Sequence, residues 1–318
     1  MKYLTFKNGD QIPMLGLGTW KAEKGQVYDA IISAIKLGYR HFDCAHIYQN
    51  EDEVGKAIKD AIDQNLVSRE DLWITSKLWN NSHNKEEVEP ALKKTLEHLQ
   101  LSYVDLYLIH WPIAFKHEHE QPAHANEFYK PGEVSLGETW SGMIEVKKKG
   151  LAKHIGVSNF NTHQIEQIIH ETQEVPEVNQ IEIHPYLSQE KIKEHADSTG
   201  YFLTGYKPIG SGGGTTDEMK KRDIVNLFDH ETIQKIARES EATPAQVLLA
   251  WQLQRGIIVI PKSVHSDRQE ENLKALDVKL NHDQMEEINQ LNRNLRFVDG
   301  NFFTDEPSPY TLYDIWGE

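Results

Sequence analysis

Eight short runs of apolar and β-branched residues recur along the chain, at 15–19, 40–45, 72–78, 104–110, 154–159, 178–183, 202–207 and 257–262. Between them, the segments 27–37, 86–99, 141–149, 162–170, 188–198 and 244–255 carry apolar residues at helical spacing. Strand-sized runs alternating with helix-sized ones predict βα units and a parallel sheet. Eight strands suffice to close that sheet into an α/β (β/α)8 barrel, and 318 residues hold a barrel of roughly 250 residues with insertions. An open doubly wound sheet would use the same alternation, but the Gly-rich dinucleotide turn it should carry early in the chain is missing. Ahead of the first run, YLTFKNGDQIPML turns at Asn8-Gly9, the residue pair that suits a tight β-hairpin.

Three segments interrupt the rhythm. Residues 112–137 are too long and irregular for an ordinary βα loop and read as a lid or insertion over the rim. The tail, 292–318, is aromatic, is broken by Gly300, Pro307 and Pro309, and is expected to lie across a face of the barrel. GSGGGTT at 210–216 has backbone N–H groups that suit phosphate but lacks the GK[ST] ending of a nucleotide loop, so flexibility explains it equally well. No linker splits the chain, and residues 1–318 are expected to form a single barrel domain.

With 34 basic against 49 acidic residues the formal charge is -15, which argues against nucleic acid or an anionic membrane as partner. An anionic ligand must then be met by a local cluster of cations. Cys44 is the only cysteine, so no internal disulfide forms and no Cys-rich metal spacing exists. The N-terminus has no sustained apolar stretch, and a cytoplasmic, monomeric protein is expected.

The stretch GYRHFDCAHIYQNEDEVG at 38–55 reads as strand, polar loop and helix start, with Asp43 at the end of the strand and Tyr48 in the loop. Lys77 and His110 each fall at or just past the end of a further strand. In a parallel barrel these ends share one rim, where loops converge on a rigid floor. Singly, Lys77 reads as a surface lysine and His110 as a satisfied core histidine. Together they make chemical sense: an ammonium beside a phenol stabilises the phenolate and lowers its pKa, Asp43 fixes the ammonium, and His110 orients a carbonyl oxygen.

With GYRHFDCAHIYQNEDEVG at 38–55, TSKLW at 75–79, LIHWP at 108–112, GVSNF at 156–160, NQIEIHPY at 179–186 and IPKS followed by Arg268 and Asn272, the chain resembles the aldo-keto reductases over nearly its whole length. The resemblance implies a barrel closed at the bottom by the hairpin. It also implies hydride transfer between a nicotinamide cofactor and an aldehyde or ketone, with Tyr48 as general acid, Lys77 and Asp43 tuning it, and His110 positioning the carbonyl.

The same resemblance implies that Ser158, Asn159 and Gln180 hold the carboxamide while Tyr206 stacks on the nicotinamide. It assigns the phosphate end to Lys262, Ser263 and Arg268. A point charge, a hydroxyl and a planar fork suit a 2′-phosphate, which favours NADPH, with NADH as the weaker alternative. Further cofactor contacts implied are Thr19, Trp20, Lys21, Asp43, Lys207, Ile209, Ser211, Glu271 and Asn272. The substrate is expected against Trp20, Ile47, Tyr48, Trp79, His110 and Trp111.

The chain departs from the family in three places. Lys207 stands where relatives usually carry a serine, so the pyrophosphate falls to Lys207 and Lys21 together. WPIAFK at 111–116 and LRF at 295–297 are similar to the xylose reductases. Those enzymes, however, place an aspartate where Ile47 stands and an asparagine where Val298 stands. An apolar wall would leave a sugar's hydroxyls unpaired at about 1–3 kcal/mol each. The expected substrate is therefore an apolar or aromatic aldehyde, with a sugar reductase as an alternative.

Other readings compete with this one. A barrel of this family that binds NADPH with little turnover would act as a sensor. Glu51 and Glu53 suggest a barrel hydrolase, but at i, i+2 they do not face each other, and helix N-terminal charge explains them better. HEHE at 117–120, with His124, has metal-ligand residue types on no fixed scaffold, and no metal is expected there.

Overall fold

The computed structural model describes residues 1–23, 25–211, 217–221 and 224–317. Strands β1 (Tyr3–Thr5) and β2 (Gln11–Pro13) pair antiparallel across a turn in which Gly9 takes φ 92°, a left-handed backbone that side chains disfavour. Eight parallel strands follow: β3 (Leu17–Gly18), β4 (His41–Asp43), β5 (Trp73–Leu78), β6 (Val104–Ile109), β7 (Ala152–Ser158), β8 (Val178–Glu182), β9 (Phe202–Tyr206) and β10 (Ile258–Val259). Each pairs with its neighbours in chain order. The ends meet where Leu15 bridges Val259 and Gly18 bridges Lys262, with Gly16 N–H donating to Val259 O at 2.9 Å. At this seam a Cβ on Gly18 would lie 2.9 Å from Ile260 O, so the close approach calls for glycine. The fold is a (β/α)8 barrel with an added hairpin.

The described helices are α1 (Gln26–Leu37), α2 (Glu51–Asp63), α3 (Lys85–Leu99), α4 (Leu136–Lys148), α5 (Thr162–Thr172), α6 (Glu190–Thr199), α7 (Asp217–Lys221), α8 (Glu231–Glu239), α9 (Pro244–Gln254), α10 (Ser266–Lys274), α11 (His282–Asn289) and α12 (Leu312–Trp316). Local chemistry sets their starts. Asn161 accepts from Gln164 N–H while Gln164 Oε1 takes the N–H of Asn161, a reciprocal cap on α5. Thr243 caps α9 in the same way, with Pro244 at its first position. None of the described helices is long and apolar enough to cross a membrane.

Every residue of β5 and β6 is buried, as strands between a filled barrel and a ring of helices must be. Phe6 and Ile12 of the hairpin region pack with Trp73, Leu106, Leu108, Val178 and Ile258. Trp73 and Val178 begin their strands, so the hairpin closes the N-terminal end. At the other end, Trp79, Trp111, Phe115 and Phe128 join Phe303, Tyr310, Ile315 and Trp316 in one apolar cluster, which ties the tail to the 112–137 loop. Tyr310 Oη accepts from Ala114 N–H at 3.0 Å, and Gln164 Nε2 donates to Asp314 O at 2.9 Å.

Two of the differences in extent from the sequence expectation have a local cause. The last strand stops at Val259 rather than 262, since Pro261 has no N–H to extend the ladder. α4 starts at Leu136, five residues earlier than its apolar spacing suggests, because Ser135 caps it by accepting from Glu138 N–H. Of GSGGGTT, only Gly210 and Ser211 fall within the described residues.

Candidate active site

β4 ends at Asp43 and β5 places Lys77 one strand away, both side chains almost wholly buried. Lys77 Nζ donates to Asp43 Oδ1 at 2.6 Å, to Cys44 O at 2.8 Å and, more loosely, to Tyr48 Oη at 3.4 Å. Gln180 Nε2 takes the second oxygen, Asp43 Oδ2, at 2.7 Å. Each carboxylate oxygen therefore holds one donor, which keeps the group turned toward the lysine. The 3-10 turn His46–Tyr48 carries the phenol over this pair.

These groups have shifted proton affinities with separable causes. Burial opposes the Lys77 ammonium, but Asp43 and then Tyr48 more than offset it, and its pKa lies above the ordinary lysine value. The Tyr48 phenol is pushed up to about 12: burial wins over the ammonium, which acts in the opposite direction. The sequence expectation of a lowered phenol pKa therefore fails in the free protein, because it weighed the cation and left out desolvation. Burial, then Lys77, holds His110 well below the ordinary histidine value, so at neutral pH it is an uncharged imidazole. Its ring meets Tyr48 edge to face at 5.9 Å and Trp79 at 5.3 Å, and its Nδ1 is enclosed without a partner.

A cavity of about 490 Å3 opens above these residues. Asp43, Tyr48, His110, Ser158, Asn159, Gln180 and Tyr206 line its floor and walls. Trp20, Ile47, Trp79, Trp111 and Val298 line it too, and so do Lys21, Lys207, Ile209, Ser211 and Lys262. Tyr206 Oη donates to Asn159 Oδ1 at 2.7 Å, Asn159 Nδ2 donates to His110 O at 3.0 Å, and Ser158 Oγ donates to Gln180 O at 2.8 Å. One hydrogen-bonded run thus fixes the polar wall opposite the tryptophans. Lys21, Asn159 and Lys207, which line this cavity, take positive φ at 58°, 63° and 47°.

Six expected residues lie outside the lining. Lys77 sits behind Tyr48. Thr19 is buried, and its hydroxyl donates to Asp43 O at 2.8 Å. Ser263 Oγ donates to His265 O and accepts from His265 N–H, both at 3.1 Å. Arg268, Glu271 and Asn272 ride on α10; Arg268 is exposed, and Asn272 is buried. Glu271 O accepts from Gln246 Nε2 at 3.0 Å.

Glu51 departs from its reading as a solvated helix-start charge, and one residue of the histidine-rich loop makes an inward contact. Glu53 accepts from Gly25 N–H at 2.9 Å, whereas Glu51 turns inward, takes the Ser76 hydroxyl at 2.5 Å and is pushed up to about 7 by burial. In HEHE, His117 Nδ1 lies 3.0 Å from Asn81 O, His119 lies 3.6 Å from Glu127, and only Glu120 reaches inward, to His46 Nε2 at 2.8 Å.

The family model described as Aldo/keto reductase family matches residues 14–293. The chain belongs to the aldo/keto reductase family. It is 45% identical to an aldo/keto reductase of Synechocystis, over 100% of this chain and 97% of that protein. It is 42% identical to aldo-keto reductase family 1 member A1 of Gallus gallus, over 93% of this chain and 90% of that protein. Among solved structures it resembles an aldose reductase from Schistosoma japonicum, with a TM-score of 0.86 at 38% identity, covering 100% of this chain and 97% of that one. An aldo-keto reductase of Bombyx mori in complex with NADP has a TM-score of 0.85 at 36% identity, covering 98% and 99% of the two chains. Family membership makes the protein an oxidoreductase.

One support of this aldo/keto reductase's cavity gave no signal in the sequence. Glu182 ends β8, is buried, and accepts from Phe297 N–H at 2.7 Å, Val298 N–H at 2.8 Å and His184 Nε2 at 2.7 Å. It therefore holds the tail where Val298 meets the cavity. Burial works to raise its carboxyl, but the His184 bond and the two backbone N–H groups outweigh that and hold it below the usual range. With a depressed folded pKa, its stabilisation is present above the ordinary glutamate value, about 4.3, and is lost as pH falls through the folded value. Glu182→Gln turns an NH2 toward a backbone N–H and should cost about 1–3 kcal/mol in urea denaturation. Hydrogen exchange at the amides of 297 and 298 should speed up; unchanged exchange would show that something else holds the tail.

Proposed function

We propose that the protein reduces aldehydes or ketones to alcohols with NADPH, with Tyr48 as the proton donor. The observation that carries this reading is the buried Asp43–Lys77 pair beneath the Tyr48 hydroxyl, with His110 beside it in the cavity lining.

The residues present fit the cofactor. In a chain of charge -15, Lys21, Lys207 and Lys262 all line the cavity, and Lys21 and Lys207 are close enough to repel each other. Burial, and after it the repulsion of Lys21, lowers the Lys207 pKa, and an anion between the two would relieve that repulsion. Exposed Lys262 and Arg268 make no ion pair among the described residues and are free to take a 2′-phosphate. Ser158, Asn159 and Gln180 offer short polar groups for a carboxamide, and Tyr206 offers a flat ring. The NADP bound by the Bombyx mori relative supports the same reading.

The chemistry the cofactor supplies when bound is a hydride for the carbonyl carbon. The chain's part is to hold the carbonyl and deliver a proton to its oxygen. An N–H at the enclosed Nδ1 of His110 would be an unsatisfied donor, so the proton of the neutral ring belongs on Nε2, where it donates to the carbonyl oxygen. As negative charge grows on that oxygen, Tyr48 releases its proton to it. A phenol at about 12 is still a stronger acid than the product alcohol, so the transfer runs downhill. Lys77, kept charged by Asp43, stabilises the tyrosinate until solvent reprotonates it.

Trp20, Ile47, Trp79, Trp111 and Val298 give the cavity mouth an apolar wall, which favours apolar or aromatic aldehydes over sugars. We assign the 112–137 loop and the tail to the rim of a single barrel domain, as the lid on this pocket. Loss of NADPH absorbance across benzaldehydes, short aldehydes and aldoses tests the reading. Benzaldehydes should give the highest kcat/KM, and tight NADPH binding with no turnover on any carbonyl would make the protein a cofactor sensor.

Removing the cations tests the cofactor end. Lys262→Ala and Arg268→Ala should each weaken NADPH by about 10–100-fold, the worth of a charge-assisted bond of about 1.5–3 kcal/mol. NADH affinity, measured by fluorescence titration, should stay within about twofold. Equal losses for both nucleotides would refute the 2′-phosphate assignment.

A further inference from the structure

A second cavity, of about 410 Å3, shares Trp79 with the first and lies between α3 and the 112–137 loop. Its wall includes His46, Thr95 and Glu120. Beside it, one ligand atom each from His46, Glu51 and His98 lies within 4.8 Å of the other two, and the rings of His46 and His98 are near parallel, 16° apart in plane and 6.4 Å between centres. We propose that His46, Glu51 and His98, with Glu120, form a zinc site outside the catalytic cavity.

An ordinary ion pair accounts for part of this cluster: Glu120 Oε1 lies 2.8 Å from His46 Nε2. It leaves Glu51 unexplained. That side chain is 2% exposed; one of its oxygens takes the Ser76 hydroxyl, Oε2 is enclosed with no hydrogen bond of good geometry, and burial outweighs the help of the Ser76 and Thr95 hydroxyls. Ionised, a buried carboxyl with so few donors is costly, which is why its pKa rises, and a cation held jointly with the imidazoles would serve the ionised form. His98, on the last turn of α3, likewise faces Glu51 and His46 rather than solvent alone.

Two imidazole nitrogens with two carboxylates suit zinc, whereas calcium and magnesium favour all-oxygen sets. Zinc bonds of about 2.0–2.2 Å put tetrahedral ligand atoms roughly 3.3–3.5 Å apart, so side-chain ends need to close by on the order of an ångström. The ligands come from four separate elements: the turn that carries Tyr48, the facing ends of α2 and α3, and the long loop. Trp79 Nε1 donates to Glu120 O at 2.8 Å, so an ion here would brace the loop and, through Trp79, one wall of the catalytic cavity.

The test is equilibrium dialysis of the chelator-stripped full chain against micromolar Zn2+, with Co2+ as a spectroscopic probe. One Zn2+ per chain is expected, together with the intense visible absorption of tetrahedral Co2+. His98 and Glu120 are part-exposed, so their substitution tests ligation without opening the core. His98→Gln should weaken Zn2+ by about tenfold or more, and Glu120→Gln by less. His124→Gln, in the same loop but outside the cluster, should change nothing, and metal-free Tm values should agree across all four proteins. No bound Zn2+, binding indifferent to His98→Gln, or binding lost equally in His124→Gln would each overturn the site.

Discussion

Replacing Tyr48 by phenylalanine should lower kcat for aldehyde reduction by about 10²–10⁴-fold, the range a positioned general acid supplies, while NADPH affinity stays within about twofold. The substitution removes one oxygen and keeps the ring, which is held edge to face on His110 at 5.9 Å and near Trp20 at 6.4 Å. Lys77 loses only its weakest contact, at 3.4 Å, and keeps Asp43 and Cys44 O, so the charged pair below stays intact. The groups proposed to hold the nicotinamide, Ser158, Asn159, Gln180 and Tyr206, are bonded to one another or to Asp43 and His110, and none depends on the phenol oxygen. Loss should therefore fall on the chemical step alone. Stopped-flow single turnovers with NADPH and fluorescence titration of the cofactor separate the two. An unchanged single-turnover rate, or a matching loss of cofactor affinity, would contradict the acid role.

The alternation of buried strands and amphipathic helices was legible because a parallel strand covered on both faces is rich in apolar and β-branched residues. Val104–Ile109 stands out for that reason, apolar but for Asp105, whereas Trp73–Leu78 is buried throughout although Thr75, Ser76 and Lys77 are polar. α10 was not legible. Its sequence SDRQEENLK offers a single large apolar residue, and a buried amide anchors it instead: Gln269 Nε2 donates to Ala30 O and Ser263 O, and Gln269 O accepts from Tyr39 Oη. The residues of the charged core were readable as a set because each stands at a strand end or in the loop that follows. Their proton affinities were not, since desolvation depends on everything packed around them; Tyr48 is the clear case. Glu51 shows a second limit. A glutamate in the first turn of a helix reads as a solvated charge favoured by the helix dipole, yet Ser76 and His98, which lie strands and helices away in sequence, enclose it. Glu182 meets its tail partners across 115 and 116 residues, a separation that leaves no local pattern to find.

Removing the other half of the charged core should be costly to the fold itself. Lys77→Met fills much the same volume but leaves Asp43, 2% exposed, with Gln180 as its one remaining side-chain partner, and leaves Cys44 O without its donor. Breaking one side of a buried ion pair costs about 3–5 kcal/mol, and that loss is expected in urea denaturation at pH 7. Much of it is the penalty of an orphaned charge rather than the worth of the pair. Adding Asp43→Asn to Lys77→Met should therefore restore stability, leaving the double variant more stable than Lys77→Met alone. The pH dependence has a definite sign. Because the folded pKa of Lys77 is raised, its contribution is fully present below the ordinary lysine value, about 10.4, and is lost as pH rises through the higher folded value. The wild type should thus lose stability in strong alkali with a component that Lys77→Met lacks. If the double variant instead lost the sum of the two single losses, the carboxylate and the ammonium would be acting independently, and Asp43 could not be what keeps the lysine charged beneath the phenol.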